Sequence, residues 1–309
     1  MLPGTGYDDQ IHLVRAADND AIEAALASRR PLLVRGEPGV GKSQLALAAA
    51  LDLERAFVRR VVDASTEPRD LLWEEDAVAR LGDAQLIGAV GNAGEAAKLR
   101  RHLEPAHYVL PGPLWWALNW DRAATKANDS GVAPPPQAAG CDPKNGVVVL
   151  IDEIDKADAE VPNGLLEVLG NRSFQPHGLP ERIEPGKEWP LIVLTTNEER
   201  SLPAAFVRRC VLHVIELPSD EELEPFLIAR GQAHFPHTDP AVLAEAARQL
   251  VVDRRAARTQ RHFPLPGQAE YIDLVRAIIT LAPDNVAEQH RLLSRLSKLF
   301  LQKHRGLGR

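Results

Sequence analysis

The stretch GEPGVGKS, residues 36–43, fits the pattern G-x-x-x-x-G-K-[ST] and lies between a strand-like run and an alanine-rich, helix-like run. Its glycines allow backbone N–H groups to turn toward phosphate oxygens, and the N-terminus of the following helix favours an anion. The pattern assigns Lys42 to the β- and γ-phosphates of a nucleotide and the Ser43 hydroxyl to Mg²⁺. A glycine-rich turn with a chance lysine is the alternative, which the flanking strand and helix disfavour. The predicted nucleotide-binding residues are Gly36, Glu37, Pro38, Gly39, Val40, Gly41, Lys42, Ser43 and Gln44.

A second motif, VVVLIDEID at residues 147–155, begins with the most strand-like run of the chain. At the end of this strand, Asp152 is predicted to hold Mg²⁺ through water, and Glu153 to polarise the attacking water as general base. Carboxylates also end strands simply as caps of the next element. The presence of the phosphate loop (residues 36–44) makes that alternative less favourable, so the two motifs together predict a site for nucleotide hydrolysis.

Another continuous apolar run, LIVLTT at residues 191–196, is followed by Asn197. Both runs have the composition of strands that are covered on both faces, and strands alternate with helix-like segments. The sequence therefore predicts an α/β fold with a parallel sheet. In that fold Asn197 would lie beside Glu153 and orient the water or touch the γ-phosphate. Without that fold it would be only a turn residue.

The character of the sequence changes near residue 218, after which helix-like segments replace the strands. Residues 1–218 are predicted to form the α/β nucleotide-binding domain, and residues 219–309 an all-helical domain. Residues 121–145 are rich in Pro, Ala, Gly and Asn and are predicted to form a solvent-exposed insertion in the first domain.

Two helix starts in the C-terminal part carry recognisable capping signals. Ser219 and Glu222 fit a capping box, in which the two side chains bond to each other's backbone N–H groups. Asp239 fits an N-cap, with Pro240 at the first helical position. Both patterns predict that helices begin at these residues.

Length and composition indicate the broad class of protein. A length of 309 residues is ample for two domains with packed cores. The composition, 45% hydrophobic and 26% charged, is that of an ordinary globular protein. The net charge of −7 does not indicate binding to nucleic acid or to an anionic membrane. No apolar run reaches about 18 residues, the length needed to span a membrane. The start, MLPGTGYDDQ, lacks a signal-peptide pattern. Cys141 and Cys210 are expected to be free thiols in a cytoplasmic protein without membrane contact.

These motifs, in this order, resemble an AAA+ ATPase, and specifically its MoxR-like branch. The resemblance covers nearly the whole chain and implies an AAA+ P-loop core with a five-stranded parallel sheet flanked by helices, followed by an all-helical lid domain. It also implies ATP and Mg²⁺ bound between the subunits of a ring, usually a hexamer. The segments that carry it are GEPGVGKS, LIDEIDKADAEVPNGLLEVL (150–169), IVLTTNEERSLPAAFVRRC (192–210), the Gly-Pro-Leu element YVLPGPLWWALN (108–119) and the helical C-terminal part.

The resemblance also suggests a role for two adjacent arginines in SLPAAFVRRC, residues 201–210. In AAA+ proteins the helix after the asparagine-bearing strand ends with an arginine that reaches the ATP of a neighbouring subunit. This implies that Arg209 is the arginine finger and Arg208 its helper or substitute. The alternative is that both arginines pair with local carboxylates, such as those of Glu198 and Glu199.

Many AAA+ proteins also carry an arginine at the start of the third lid helix, where it senses the nucleotide. This chain departs from that pattern, because Gly267, Gln268 and Ala269 occupy the corresponding start and Arg276 follows about two turns later. The lid sensor is therefore left unassigned.

Two weaker signals leave their functional and structural interpretations open. Trp115, Trp116 and Trp120 fit either a partner-binding patch or core packing, with core packing favoured. The HFPH sequence, residues 234–237, has two histidines at a possible metal-ligand spacing, but a proline separates them and no acidic base accompanies them. A zinc site there is disfavoured.

By analogy with the family, the predicted function is ATP hydrolysis that remodels or activates a protein partner, and the partner implied contains a von Willebrand factor A-type domain. A nucleic-acid-translocating or loading motor is the second hypothesis, for which the acidic net charge is unfavourable although residues 254–262 and 298–309 are locally basic. A small-molecule kinase and a nucleotide-gated scaffold are two further hypotheses that a phosphate loop permits.

Overall fold

The computed structural model describes residues 13–90 and 103–302, with the side chains of residues 88–90 left out. These residues divide into two compact units. Of the described residues, the first unit contains those in Val14–Arg35 and Leu45–His213, and the second contains Leu13, Gly36–Gln44 and those from Val214 to Gln302. The phosphate loop thus belongs to the same unit as the C-terminal helices. The domain boundary at residue 218 stays a prediction.

The described residues form two sheets from the strands β1 (Leu32–Arg35), β2 (Arg55–Val61), β3 (Trp73–Glu75), β4 (Val109–Pro111), β5 (Asp142–Asp152), β6 (Leu191–Thr196) and β7 (Val211–Val214). Five strands make a large sheet in the order β2-β5-β6-β1-β7, in which the pairs β2–β5, β5–β6 and β6–β1 are parallel. The predicted five-stranded parallel sheet is confirmed. Strands β3 and β4 pair antiparallel in a small separate sheet.

The centre of the large sheet is buried on both faces. Every residue of β6 and the last seven residues of β5 are buried, which explains why both read as continuous apolar runs rather than as alternating patterns. The register pairs Ile151 with Leu194, and Arg35 with Thr196. The carboxyl ends of β5, β6 and β1 therefore reach the same edge of the sheet.

Eleven α-helices lie within the described ranges. Their bounds are α1 (Ala16–Ser28), α2 (Lys42–Asp52), α3 (Ala77–Val90), α4 (Pro113–Leu118), α5 (Trp120–Asp129), α6 (Glu160–Asn171), α7 (Ala204–Val207), α8 (Leu223–His234), α9 (Pro240–Thr259), α10 (Gln268–Leu281) and α11 (Val286–Phe300). None of the described helices is long and apolar enough to span a bilayer.

Helix α1 is tied to the large sheet by a buried carboxylate. Asp18 accepts a hydrogen bond from the backbone N–H of Arg15 at 2.8 Å, and its Oδ1 lies 2.7 Å from Nε2 of His213 in β7. Burial alone would raise the pKa of Asp18, but the hydrogen bonds from His213 and Arg15 hold it below its usual range. The pair thus fixes the start of α1 on the last strand of the sheet.

Most of residues 121–145 are exposed or half-buried, and their assignment as an insertion in the first domain stays a prediction. Helix α5 occupies the first part of this segment and buries Ala123 and Ala127 completely, and β5 begins at Asp142. Between them, the Gln137 side chain bonds to the backbone N–H and C=O of Phe57 at 2.6 and 3.1 Å. Alanine hides this packing from a sequence pattern, because it is a small side chain that suits a buried and an exposed helix face alike.

The C-terminal helices surround an apolar core of their own. Its largest fully buried side chain is that of Tyr271, whose hydroxyl donates to the carbonyl of Leu243 at 3.2 Å. The predicted start of α9 is confirmed, since Asp239 accepts the N–H of Ala241 at 2.8 Å. The start predicted at Ser219 is wrong, because a turn occupies residues 220–222 and α8 begins at Leu223.

The tryptophans near residue 115 contribute to the core rather than to a surface patch. Trp115 and Trp116 are 2% and 5% exposed, and Trp116 packs edge-to-face against Trp120 with ring centroids 4.8 Å apart. Cys210 is also buried and Cys141 is half-buried, and both are free thiols. Burial raises the pKa of the Cys210 thiol to about 12. At neutral pH this thiol is therefore protonated and packs as a small apolar group.

Candidate active site

The phosphate loop folds around the side chain of Lys42, the first residue of α2. The Lys42 ammonium donates to the carbonyls of Gly36 at 2.8 Å and Glu37 at 3.0 Å, and the residue is only 7% exposed. A lysine held in this way keeps its positive charge inside the curve of the loop. The loop therefore presents a fixed cation together with the N-terminus of a helix.

The backbone of the loop has the conformation that its glycines permit. Gly39 and Gly41 have φ angles of 78° and 99°, a conformation that residues with a side chain rarely adopt. A Cβ added to Gly39 would also lie 2.7 Å from the Cβ of Ala269, so a side chain there would displace the loop. Backbone N–H groups, an ammonium and the Ser43 hydroxyl are the donor set that a nucleotide phosphate with Mg²⁺ requires. The residues present thus fit Mg-ATP.

The acidic edge of the large sheet brings together side chains from three neighbouring strands. Asp152, at the end of β5, accepts a hydrogen bond from the Thr195 hydroxyl at 2.6 Å and forms an ion pair with Arg59 at 2.7 Å. Thr195 lies on β6 and Arg59 on β2, the two strands that flank β5. Asp152 is 4% exposed, so these bonds compensate a carboxylate removed from water.

Glu153 follows Asp152 at a sharp turn of the backbone. Its φ angle is 61°, in the left-handed region that non-glycine residues rarely adopt, and its N–H donates to the Thr195 hydroxyl at 2.9 Å. One carboxylate oxygen lies 3.4 Å from the Asn197 amide nitrogen and the other 2.7 Å from the Lys156 ammonium. The hydrogen bond to Glu153 raises the pKa of Lys156. The strained turn thus aims the Glu153 side chain at Asn197 and Lys156.

Arg59, Thr195 and Lys156 are contacts of the predicted acidic pair that sequence reasoning missed. Thr195 stands two residues before Asn197, so the TTN sequence contained a usable signal. No local sequence signal indicated Arg59, because it reaches Asp152 only through the pairing of β2 with β5. Lys156 lies three residues after Glu153, and i, i+3 spacing is a common one for ion pairs on a helical turn.

The segment after β6 is held to the same edge by two further carboxylates. The buried Asp155 accepts the backbone N–H of Glu199 at 2.9 Å, and Glu198 pairs with Arg35 at 3.1 Å. The second oxygen of Asp155 is buried without a hydrogen-bond partner among the described residues. These contacts fix the chain that leads from Asn197 toward the two adjacent arginines.

Arg208 and Arg209 follow the short helix α7, which is anchored by the fully buried Phe206. Both arginines are exposed, and within the described ranges no ion pair joins either of them to a carboxylate. The alternative in which they pair with Glu198 and Glu199 is not what the structure contains. The structure does not bring either arginine into a hydrogen bond with the described part of the acidic edge either. Their guanidinium groups are therefore available at the surface.

The region where a lid sensor would stand contains no arginine at its start. Gln268, the first residue of α10, is 6% exposed, and the guanidinium of Arg276 lies 6.0 Å from the ring centre of Phe235 and 3.9 Å from Asp273. Arg276 thus faces its own helix and an aromatic neighbour. Among the described residues no group of three or more His, Cys, Asp or Glu could hold a metal ion, which includes the HFPH segment.

Comparisons with known proteins place these motifs in context. A family model described as AAA domain (dynein-related subfamily) matches residues 31–210. The Lon proteases of Mycoplasma mobile and Frankia alni are 25% and 27% identical over 240 and 242 residues, which is 74% and 75% of this chain. The matches span only 22% of the length of each relative. A solved structure of a RuvB mutant from Thermotoga maritima is 16% identical with a TM-score of 0.46, over 91% of this chain and 68% of that one.

Proposed function

Because the chain belongs to the dynein-related subfamily of AAA domains, we propose that it hydrolyses ATP and uses the reaction to remodel or activate a protein partner. Members of this family generally bind ATP with Mg²⁺ and commonly form ring oligomers. We extend both properties to this chain, with a hexamer as the proposed ring. The observation that carries the proposal is the phosphate loop closed around Lys42, at the position that the motif assigns to the β- and γ-phosphates.

The proposed reaction assigns one task to each part of the site. Lys42 and the loop N–H groups would bind the phosphates, and Ser43 and Asp152 would hold Mg²⁺. Bound Mg²⁺ would neutralise charge on the phosphate oxygens. Glu153 accepts a proton from the attacking water, which Asn197 helps to orient. The water oxygen bonds to the γ-phosphorus while the bond between that phosphorus and the ADP oxygen breaks, and ADP leaves. The products are ADP and phosphate.

Replacement of Lys42 by alanine tests the assignment of the phosphate loop. We expect the affinity for ATP to fall at least about tenfold and phosphate release to be lost, because a charge-assisted bond to the phosphates disappears. Titration calorimetry with the nonhydrolysable analogue AMP-PNP in Mg²⁺ measures the first effect, and a phosphate-release assay measures the second. Lys144→Ala, an exposed lysine on β5, is the matched control and should behave as wild type. A wild-type protein that neither binds nor hydrolyses ATP would contradict the proposal.

Within the family we propose the MoxR-like branch, and with it a partner that contains a von Willebrand factor A-type domain. The support is the ordered set of motifs and the Gly-Pro-Leu element at residues 108–119. Nucleic acid is a less favourable partner because the basic run at residues 254–262 is largely engaged within the chain. Arg254 is buried, and Arg255 and Arg258 both pair with Asp220 at 3.4 and 2.9 Å.

A stimulation experiment distinguishes these partners. We expect a purified von Willebrand factor A-type protein from the same genome to raise the rate of phosphate release severalfold, since an ATPase that acts on a partner is coupled to its binding. Added DNA or RNA should leave the rate unchanged at low and high salt. Stimulation by nucleic acid that disappears with increasing salt would instead favour a translocating motor. Transfer of phosphate to a small molecule rather than to water would favour a kinase.

A further inference from the structure

Arg254, on α9, is a buried arginine that the proposed reaction does not use. It is 4% exposed, and its guanidinium donates to the carbonyl of Pro266 at 2.9 Å and to the carboxylate of Glu37 at 2.7 Å. Arginine is almost never buried unless it is paired, so these two partners hold the Arg254 guanidinium in its buried position. One of them is a residue of the phosphate loop.

Glu37 is an unfavourable residue for an anion-binding loop unless its charge is compensated. The residue lies between Gly36 and the turn of the loop, and its backbone carbonyl accepts a bond from the Lys42 ammonium at 3.0 Å. A carboxylate on this loop would repel a polyphosphate, and water screens only part of its charge because the Glu37 side chain is 49% exposed. The ion pair with Arg254 neutralises this carboxylate within the same compact unit.

The second bond of Arg254 ties the same contact to the start of α10. Pro266 is two residues before Gln268, and the N–H of the intervening Gly267 is bonded to Glu270 at 2.9 Å. Ala269, the residue after Gln268, is the one whose Cβ a side chain at Gly39 would approach too closely. The phosphate loop therefore packs against the start of α10 at Gly39. Through the Glu37 carboxylate it is also linked to Arg254, which bonds to the segment just before α10.

We propose that Arg254 is a positioning residue for nucleotide binding, which neutralises Glu37 and holds the phosphate loop against the start of α10. It acts through Glu37 and does not itself contact the nucleotide. In this chain the start of α10 carries Gln268, whose Oε1 is buried without a hydrogen-bond partner among the described residues. Arg254 is a cation fixed in contact with both the loop and this connection. The inference rests on the proposed binding of ATP.

Three variants test the charge relation between Arg254 and Glu37, with the affinity for AMP-PNP in Mg²⁺ measured by titration calorimetry. Arg254→Met should weaken binding about ten- to a hundredfold, because it leaves the Glu37 carboxylate uncompensated beside the phosphates. Glu37→Gln removes the carboxylate from the loop and is the reference with which the double variant is compared. The double variant, which removes both charges, should recover to within a few-fold of Glu37→Gln. Arg258→Met is the matched control, because Arg258 lies one turn further along α9 and is half-exposed.

Each outcome of this test is decisive. Wild-type affinity in Arg254→Met overturns the inference, and so does a double variant as weak as Arg254→Met, since the effect would then be a loss of packing rather than of charge compensation. If Arg254→Met fails to fold in thermal unfolding, Arg254→Lys serves instead: it retains the charge and should keep most of the affinity, and loss of binding in this folded variant overturns the inference. Absence of binding in wild type and Arg258→Met would contradict the proposed function itself.

Discussion

Glu153→Gln is expected to bind ATP with wild-type affinity and to hydrolyse it about a hundred to ten thousand times more slowly, the range typical for loss of a positioned general base. Glutamine has the size of glutamate and can still accept a hydrogen bond from Asn197, but it cannot take a proton from water. The N–H of residue 153 can keep its bond to Thr195, so the strained turn is preserved. Binding and catalysis should therefore separate in this variant.

The measurements for Glu153→Gln are phosphate release under saturating ATP and calorimetric titration with ATP. Glu160→Gln, an exposed glutamate in the first turn of α6, is the matched control and should retain full activity. Thermal unfolding verifies that the loss of the ion pair with Lys156 leaves the fold intact, as expected for a partly exposed pair. Hydrolysis at the wild-type rate in Glu153→Gln would exclude this glutamate as the base.

Arg209→Ala is expected to reduce hydrolysis about a thousandfold or more, because an arginine that stabilises phosphoryl charge contributes roughly 10³ to 10⁵ in rate. The proposal is that Arg209 acts on the ATP of an adjacent subunit. Its exposed guanidinium, with no ion pair to a carboxylate in the described residues, supports an action outside its own chain. Arg208→Ala should have a smaller effect if Arg208 is the helper.

Mixing the two inactive variants tests whether Arg209 acts between subunits. An Arg209→Ala subunit keeps its own Glu153 and can borrow an intact Arg209 from a Glu153→Gln neighbour. Mixed oligomers should therefore regain part of the activity, measured as phosphate release at increasing ratios of the two proteins. Light scattering must show that each variant assembles. Mixed oligomers that form but remain inactive would contradict the action in trans.

Much of the fold follows from local patterns in the sequence. The continuous apolar runs at residues 147–152 and 191–196 predict two central strands, and both lie inside the large sheet as β5 and β6. Asp239 and Pro240 predict the start of α9, which begins as expected. These predictions hold because burial on both faces of a strand, and the capping of a helix, depend on residues close together in the chain.

Other local patterns leave more of the outcome to tertiary packing. Residues 121–145 are mostly exposed or half-buried, but α5 forms at their start and buries Ala123 and Ala127 completely. Ser219 and Glu222 fit a capping box, yet the helix starts after them. Alanine and capping residues are compatible with several local structures, so long-range contacts select among them.

The motifs identified by themselves which residues are proposed to do chemistry: Lys42 in the phosphate loop, and Asp152 and Glu153 after a buried strand. The tertiary structure alone decided which side chains neutralise the charges of these residues and their neighbours. Arg59 reaches Asp152 because β2 pairs with β5, and Arg254 reaches Glu37 across 217 positions of the chain. The physical reason is that a phosphate-binding turn is encoded by consecutive residues, whereas the neutralisation of a buried charge depends on the strand order and on helix contacts that no short stretch of sequence contains.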